Sequence, residues 1–153
     1  DEIAVSIYFS GCGIRCKDCQ NRELWEIDSG QTFSIDGVIE RVTEHPIADY
    51  LVFLGGEPTC QEVFLQELCK KIERLKKVLY TGKEFEQLPE LLLENLDMVI
   101  CGPYDSNLHI GGWPASSNQR VIKKKGGIWN IQKRCQTTKK NLNPFTKAQE
   151  KKF

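Results

Sequence analysis

Apolar and polar stretches alternate over residues 3–105 in a pattern that predicts strands separated by helices. Four mostly apolar, β-favouring runs are bounded by polar or glycine-containing sequence, as buried strands are. These predicted strands cover residues 3–9, 50–54, 77–81 and 97–101. Apolar residues recur at helical spacing between them, and the predicted helices cover roughly 35–44, 60–75 and 85–92. Ser34 suits the N-cap of the first helix, and Pro89 lies near the start of the last one or breaks it.

The order of these elements predicts an α/β fold. Short apolar strands without alternation, each followed by a helix, are typical of a parallel sheet with covering helices. The helix over 60–75 is expected to bury a face made of Val63, Phe64, Leu68, Ile72 and Leu75. After residue 105 the regularity fades, and the polar stretch 106–119 predicts a long loop. Residues 120–122 and 128–131 then predict a hairpin across 123–127.

Charge divides the chain into two parts. Residues 1–122 hold 11 Lys/Arg and 20 Asp/Glu, a net charge of −9, whereas residues 123–153 hold 10 basic residues against Glu150 alone, a net of +9. We therefore predict a domain over 1–122 and a basic, partly ordered C-terminal extension over 123–153. Such an extension suits an acidic protein surface. A solvated tail that folds back on the acidic body explains the charge equally well, and nucleic acid is not the expected partner.

The remaining composition is that of a globular protein, with 40% hydrophobic and 27% charged residues. No apolar run is long enough to cross a bilayer and no signal peptide precedes the first strand, so we expect a cytoplasmic protein without a membrane partner. The chain does not begin with methionine, and a short preceding segment is expected to be missing. Seven cysteines cannot all pair internally, and in a reducing compartment clustered cysteines usually bind metal or perform chemistry.

Three of the cysteines, Cys12, Cys16 and Cys19, lie within eight residues directly after the first strand. Thiolates are the ligands that iron–sulfur clusters use, and a four-iron cube held by three cysteines keeps one iron open to a small molecule. A zinc site would need a fourth ligand, and neither His45 nor His109 lies at zinc-finger spacing. A buried, inert thiol is the expectation for Cys69.

Glycine follows three of the predicted strands, in Ser10-Gly11, Gly55-Gly56 and Thr81-Gly82. Loops at the carboxyl ends of parallel strands form the ligand site of α/β proteins. The cysteines and the glycine pair are therefore predicted to lie at one edge of the sheet. Glycines let a backbone approach a ligand closely, and the carboxylate of Glu57 is suited to accept hydrogen bonds from an ammonium group.

These motifs resemble those of the radical S-adenosylmethionine (SAM) superfamily. The cysteine spacing matches its signature, although Asp18 stands where an aromatic residue is usual, and Gly55-Gly56-Glu57-Pro58 resembles the motif that receives the methionine moiety of SAM. A narrower resemblance, to the activating proteins of anaerobic ribonucleotide reductases, covers most of residues 3–122. Its five blocks are residues 9–12, 21–25, 29–33, 80–83 and 116–120. Cys101-Gly102-Pro103 replaces the Asp-Gly-Lys usual in that family, and Pro114-Ala115 replaces Arg-Gly.

The resemblance implies an open, incomplete (β/α) barrel of parallel strands, radical SAM type. It implies that Cys12, Cys16 and Cys19 hold three irons of a [4Fe–4S] cluster while SAM chelates the fourth. The implied SAM site comprises Asn21, Gly55, Gly56, Glu57, Thr81, Ser117 and Gln119.

The implied reaction is reductive cleavage of SAM to a 5′-deoxyadenosyl radical, which takes a hydrogen atom from a glycine of the reductase. The implied partners are the large subunit of an anaerobic ribonucleotide reductase, or another glycyl radical protein, and flavodoxin or ferredoxin as electron donor. Two alternatives stay open. One is a radical SAM enzyme with a different protein, peptide or small-molecule substrate, and the other is a non-catalytic module that binds zinc or an iron–sulfur cluster.

Overall fold

The computed structural model describes residues 2–132, so Asp1 and residues 133–153, which include Cys135 and most of the basic extension, lie outside the described part. Six strands form one sheet in which the spatial order of the strands equals their order in the chain. The strands are β1 (Ala4–Phe9), β2 (Tyr50–Gly55), β3 (Lys76–Thr81), β4 (Met98–Cys101), β5 (Arg120–Lys125) and β6 (Ile128–Ile131).

The sheet is mixed rather than wholly parallel. Strands β1 to β4 pair in parallel, which confirms that part of the prediction. Strands β5 and β6 pair antiparallel with their neighbours, as the predicted hairpin does. The hairpin turn is shorter than predicted, because Lys123–Lys125 continue β5 and only Gly126 and Gly127 turn, at φ 57° and 79°. The predicted domain boundary after residue 122 therefore falls inside β5.

The first two helices lie where the apolar spacing predicts them. Helix α1 covers Ile35–Thr43, and the Ser34 hydroxyl caps it by accepting a hydrogen bond from the Gly37 N–H. Helix α2 covers only Glu62–Lys71, because a 3-10 turn over Pro58–Gln61 precedes it. The predicted apolar face is wrong at Val63, which is 73% exposed, whereas Leu65, Leu68 and Cys69 are buried.

Pro89 interrupts the third predicted helix. A 3-10 turn over Phe85–Gln87 is followed by extended backbone at Leu88, and α3 then covers Glu90–Leu93, with Pro89 at its N-cap. The fixed φ of proline suits the start of a helix but not its interior. The prediction that Pro89 starts or breaks this helix is thus confirmed.

Helices cover one face of the sheet. The larger core packs residues of β1 to β5 against all three helices and includes Phe53, Leu65, Leu79 and Leu92. The opposite face carries a smaller cluster drawn from the strands alone, with Tyr50, Leu54, Tyr80 and the loop residue Trp113 packed against it. Within residues 2–132, no helix is long and apolar enough to cross a membrane.

Candidate functional site

The carboxyl ends of the parallel strands surround a cavity of about 180 Å³. Of the residues that the sequence predicts for the cofactor site, six line it: Cys19, Asn21, Gly55, Gly56, Thr81 and Gln119. Cys12, Cys16, Glu57 and Ser117 do not line it. The structure therefore brings together residues from four separate regions of the chain, as expected for strand ends that share an edge.

A second, larger groove of about 350 Å³ lies beside β1 and α1. Its walls are mainly apolar and include Ile7, Phe9, Phe33 and Phe64. None of the residues predicted to bind a cofactor or metal lines this groove. We therefore take the smaller cavity as the candidate site, because six of the residues predicted to bind the cofactor or metal line it and none of them lines the larger groove.

The three clustered cysteines lie in the cysteine loop, residues 11–21, which leaves the end of β1. Two backbone hydrogen bonds of 2.8 Å close this loop, from Gly11 N–H to the Leu24 carbonyl and from Cys12 N–H to the Trp25 carbonyl. Cys12, Cys16 and Cys19 are free and partly exposed. Of these three cysteines, Cys19 lines the cavity, and Cys12 and Cys16 lie in the same loop.

Burial raises the pKa of the Cys16 thiol. The backbone N–H of Tyr104 acts in the opposite direction, because it donates to the sulfur, whereas the neighbouring Cys19 and Cys12 raise the pKa further. Like charges disfavour each other at short range, so thiolates at these positions need a cation between them. Because metals bind the thiolate form of cysteine, metal binding at these thiols would release protons.

The arrangement of the cysteines differs from a site for a single ion. Within residues 2–132, no three His, Cys, Asp or Glu side chains converge as ligands of one metal ion. Zinc would draw its thiolates to about 2.3 Å from a single centre. In an iron–sulfur cube each thiolate binds its own iron, and three free, partly exposed thiols in one loop, with Cys19 at the cavity, fit that donor set.

Glu57, which the sequence predicts for the SAM site, forms hydrogen bonds within the protein. Its side chain does not reach the cavity and is buried, with a 1% exposed fraction. Oε1 accepts hydrogen bonds from the Thr59 N–H, the Thr59 hydroxyl and the Thr81 hydroxyl, and Oε2 accepts one from the Gly82 N–H at 2.8 Å. The carboxylate therefore ties the end of β2 to the end of β3 instead of presenting itself to a ligand.

Gly55 and Gly56 line the cavity, but protein packing explains their lack of side chains. Gly55 has φ +110°, and a Cβ there would lie 2.7 Å from the backbone N and O of Phe9. A Cβ on Gly56 would lie 2.6 Å from the Gly11 oxygen and 2.7 Å from the Leu24 oxygen. The glycines thus let the end of β2 pack directly against the cysteine loop. The Glu57 N–H donates a hydrogen bond to the Gly11 carbonyl of that loop at 2.7 Å.

The other predicted cofactor residues have structural partners as well. Asn21 donates from its side chain to the Gly55 carbonyl at 3.4 Å. The Gln119 side chain accepts from the Ser116 N–H and donates to the Gly102 carbonyl, both at 3.2 Å, so it holds the segment after β4 at the cavity. Ser117 lies farther away, where its N–H bonds to the Leu108 carbonyl.

Two aromatic residues line the cavity although the sequence analysis gave them no role. Tyr80 is the last residue but one of β3, and its hydroxyl accepts a hydrogen bond from the Trp113 indole, which anchors the long loop on the strand-only face. Burial raises the pKa of Tyr80 to about 12. Tyr104 follows β4. The sequence feature that could have identified both tyrosines is an aromatic residue within three positions of a glycine at a strand end.

Cys60, Cys69 and Cys101, the other cysteines within residues 2–132, do not line the cavity. Cys69 is buried among core residues, and burial raises the pKa of its thiol to about 12, which confirms the expected inert thiol. Cys101 is buried next to Arg120, and burial raises its pKa as well. Cys60 is exposed in the turn before α2.

Comparisons with known proteins agree with this site. Residues 3–122 match the family described as 4Fe-4S single cluster domain. The anaerobic ribonucleoside-triphosphate reductase-activating protein of Enterobacteria phage T4 is similar, with 30% identity over 137 residues that cover 82% of this chain and 86% of the relative.

Two relatives with other names align over less of their length. The pyruvate formate-lyase-activating enzyme of Clostridium pasteurianum is 29% identical over 64% of this chain and 44% of its own. The 7-carboxy-7-deazaguanine synthase of Hyperthermus butylicus is 28% identical over 47% of this chain and 30% of its own. No solved structure matches the chain.

Proposed function

Because the chain belongs to the 4Fe-4S single cluster domain family and, within it, to the radical SAM activases of glycyl radical enzymes, we propose that its substrate is an anaerobic ribonucleotide reductase. It is an activating enzyme whose cofactors are a [4Fe–4S] cluster and SAM. The reductase is preferred over other glycyl radical enzymes because the reductase-activating relative aligns over 86% of its length, against 44% for the lyase-activating one.

One observation carries the catalytic part of this proposal. The cysteine loop and the Gly55-Gly56 turn meet at a single cavity at the strand ends. A hydrogen bond joins them there, from Asn21 to Gly55, which are 34 positions apart in the chain. That cavity is where an α/β sheet binds its ligand. Cys12, Cys16 and Cys19 would hold the cluster, and Asn21, Gly55, Gly56, Thr81 and Gln119 would surround SAM.

When bound, the cluster and SAM supply a reductively generated 5′-deoxyadenosyl radical. The residues of this chain do the positioning. Gly55 and Gly56 bring the β2 end against the cysteine loop, and Glu57 fixes that end to β3 through the Thr81 hydroxyl. Gln119 holds the Gly102 carbonyl beside the cavity. We retain Ser117 as a weaker candidate, because its N–H already bonds to the Leu108 carbonyl.

The finer parts of the proposal concern fold, partners and compartment. We propose that the sheet corresponds to the open, incomplete barrel of compact radical SAM enzymes, with the domain over 1–122 and the basic extension over 123–153. We propose flavodoxin or ferredoxin as electron donor and the cytoplasm as the compartment. The +9 charge of the extension supports docking to an acidic surface of the reductase, in which case the association weakens as salt rises.

Anaerobic reconstitution tests the proposed function directly. The parent protein should bind four irons, cleave SAM to 5′-deoxyadenosine with dithionite, and raise a glycyl radical signal in an anaerobic ribonucleotide reductase. Cys60→Ala is the matched control, because Cys60 is an exposed cysteine outside the loop. SAM cleavage without a radical on the reductase, together with a radical on pyruvate formate-lyase, would reassign the substrate.

A second candidate is a radical SAM enzyme with another substrate. Cys101-Gly102-Pro103 favours it, because Cys101 is buried and Pro103 carries no charge where the reductase activators have Asp and Lys. If this candidate is right, the parent protein cleaves SAM but raises a radical in neither glycyl radical enzyme.

A further inference from the structure

The cysteine loop is joined to the segment after β4 by a hydrogen bond between residues 88 positions apart. The Ser106 hydroxyl donates to Asp18 Oδ2 at 2.8 Å. Asp18 directly precedes Cys19, and Ser106 lies two positions after Tyr104. Because Cys19 and Tyr104 both line the cavity, this bond spans two of its walls.

Asp18 is held in a fixed orientation. Its φ is +58°, in the left-handed region that Asp enters more readily than aromatic residues do. Its second oxygen, Oδ1, accepts from the Arg22 guanidinium at 3.3 Å. Both oxygens therefore have partners, and the side chain that replaces the aromatic residue of the signature points to the segment after β4.

The segment 102–106 is braced from its other side. Asn118 donates from its side chain to the Pro103 carbonyl at 2.8 Å, and Gln119 donates to the Gly102 carbonyl at 3.2 Å. The Asp105 N–H donates to the Ser116 hydroxyl at 3.3 Å. Gly102, Pro103 and Asp105 are thus fixed to the loop before β5, and Ser106 joins the segment to the cysteine loop.

We propose that the Asp18–Ser106 hydrogen bond is a latch that holds segment 102–106, with Tyr104, against the cysteine loop and so sets the affinity of the cavity for SAM. Asp18 and Ser106 are positioning residues, since they act through the wall that Tyr104 forms. The proposal rests on the proposed function for the identity of the ligand. The contact between the two loops can be tested without it.

The test is a double-mutant cycle of Asp18→Gly, Ser106→Ala and both together. Glycine suits the positive φ at position 18, and alanine removes only the hydroxyl at 106. Each single change should weaken SAM binding by about three- to tenfold, as loss of a hydrogen bond to a charged group does at a partly exposed site. The double variant should be no weaker than the singles, and Ser106→Thr, which keeps a hydroxyl, should bind as the parent does.

Two measurements separate a latch from a general structural role. Calorimetry on the reconstituted protein gives the dissociation constant of SAM, and mass spectrometry on the metal-free protein gives the rate of Cys16 alkylation, which should rise about as much. Iron content and melting temperature should stay at the parent values. Asp36→Asn and Thr43→Ala are the controls, because Asp36 is an exposed aspartate in one ion pair and the Thr43 hydroxyl bonds only within α1.

The outcomes are distinguishable. Additive losses in the double variant, or SAM affinity and alkylation rates equal to those of the parent, would overturn the latch. If the parent itself binds no SAM, the proposed function fails instead, and unchanged alkylation in Ser106→Ala would then overturn the latch independently. Faster alkylation in both single variants but not in the controls would support it.

Discussion

Two walls of the cavity are stabilised in different ways. The strand-end wall, residues 54–57 and 80–82, is tied together by the buried carboxylate of Glu57, which accepts four hydrogen bonds. The cysteine loop carries its charged contacts on the surface: in the ion pair Arg15–Glu26 both side chains are more than half exposed. Surface ion pairs contribute about 0–1 kcal/mol, whereas a buried, fully bonded carboxylate is expensive to disturb.

This difference implies that folding of the protein and binding of its cofactor depend on different parts of the cavity. The strand-end wall belongs to the folding unit, because its hydrogen bonds connect β2 to β3. The cysteine loop is joined to that wall by the backbone hydrogen bond from the Glu57 N–H to the Gly11 carbonyl, and its thiols have no comparable role in the core. Changes in the loop should therefore affect the metal, and changes in the wall should affect folding first.

The largest expected effect is the loss of the cluster. Cys12→Ala, Cys16→Ala and Cys19→Ala should each abolish the four-iron cluster, because three thiolates are the whole protein ligand set proposed. The free energy of unfolding of the metal-free protein should change by less than about 0.5 kcal/mol, as for a surface change. Iron analysis and urea denaturation measure the two quantities, with Cys60→Ala and Cys69→Ala as controls for the cluster. A full cluster in Cys16→Ala, or its absence in Cys69→Ala, would refute the ligand assignment.

Glu57→Gln should show the reverse pattern. The new amide nitrogen must face either the Gly82 N–H or the Thr59 N–H, so one backbone donor loses its acceptor in either orientation. We expect a loss of about 3 kcal/mol of unfolding free energy in the metal-free protein, measured in urea. Glu62→Gln is the matched control, since Glu62 makes one hydrogen bond within α2, to Gln66. Equal stability of the two variants would contradict the distinction between the walls.

Gly56→Ala tests the contact between the walls. A Cβ 2.6 and 2.7 Å from two backbone oxygens cannot be relieved by a side-chain rotation, so the cysteine loop must move. We expect a loss of about 2 kcal/mol in unfolding free energy together with a lower iron content. Gly13→Ala is the control for stability, because no atom lies within 4 Å of a Cβ there. If the iron content and the stability of Gly56→Ala were normal and only SAM binding were weaker, Gly56 would be needed for contact with SAM and not for packing of the two walls.

The smallest effect is a pH dependence of the strand-end wall. Tyr80 has a pKa of about 12 in the folded protein, against about 10 for an unfolded chain. The unfolded state therefore loses its proton first, and the stability contributed by the neutral phenol falls as pH rises from 10 to 12. At pH 11 the loss should be about 1 kcal/mol. Between pH 9 and 11 the unfolding free energy of the parent should fall more steeply with pH than that of Tyr80→Phe. Equal pH dependence in the two proteins would show that Tyr80 titrates normally when folded.

The positions of the elements could be predicted from the sequence more fully than their exposure. Apolar spacing and the capping residue Ser34 locate α1, and glycine-bounded apolar runs locate the parallel strands. The spacing predicts Val63 in the core because it is apolar, but Val63 lies on the face of α2 that also carries the exposed Glu67 and Lys70. Lys123–Lys125 were assigned to a turn because they are charged, although β5 is near the sheet edge, where lysine is tolerated.

The candidate site could be located from the sequence, but the roles of its residues could not all be inferred. Motif spacing brings the cysteines and Gly55-Gly56 to one cavity. The hydrogen-bond partners of Glu57 could not be predicted, because the partners of a carboxylate depend on the neighbouring strand, here on Thr81 and Gly82. The contact of Asp18 with Ser106 depends on a loop packing that no local pattern encodes.

The equality of spatial and sequential strand order has a consequence for synthesis on the ribosome. Each strand from β2 to β6 pairs with the strand made just before it, so a growing chain can extend its sheet one strand at a time from the amino end. No strand has to be inserted between two that are already paired. The cysteine loop and the Gly55-Gly56 turn are therefore both present once β2 has emerged, well before β4 and the Asp18–Ser106 contact can form. The three thiols are therefore synthesised before the segment that borders them.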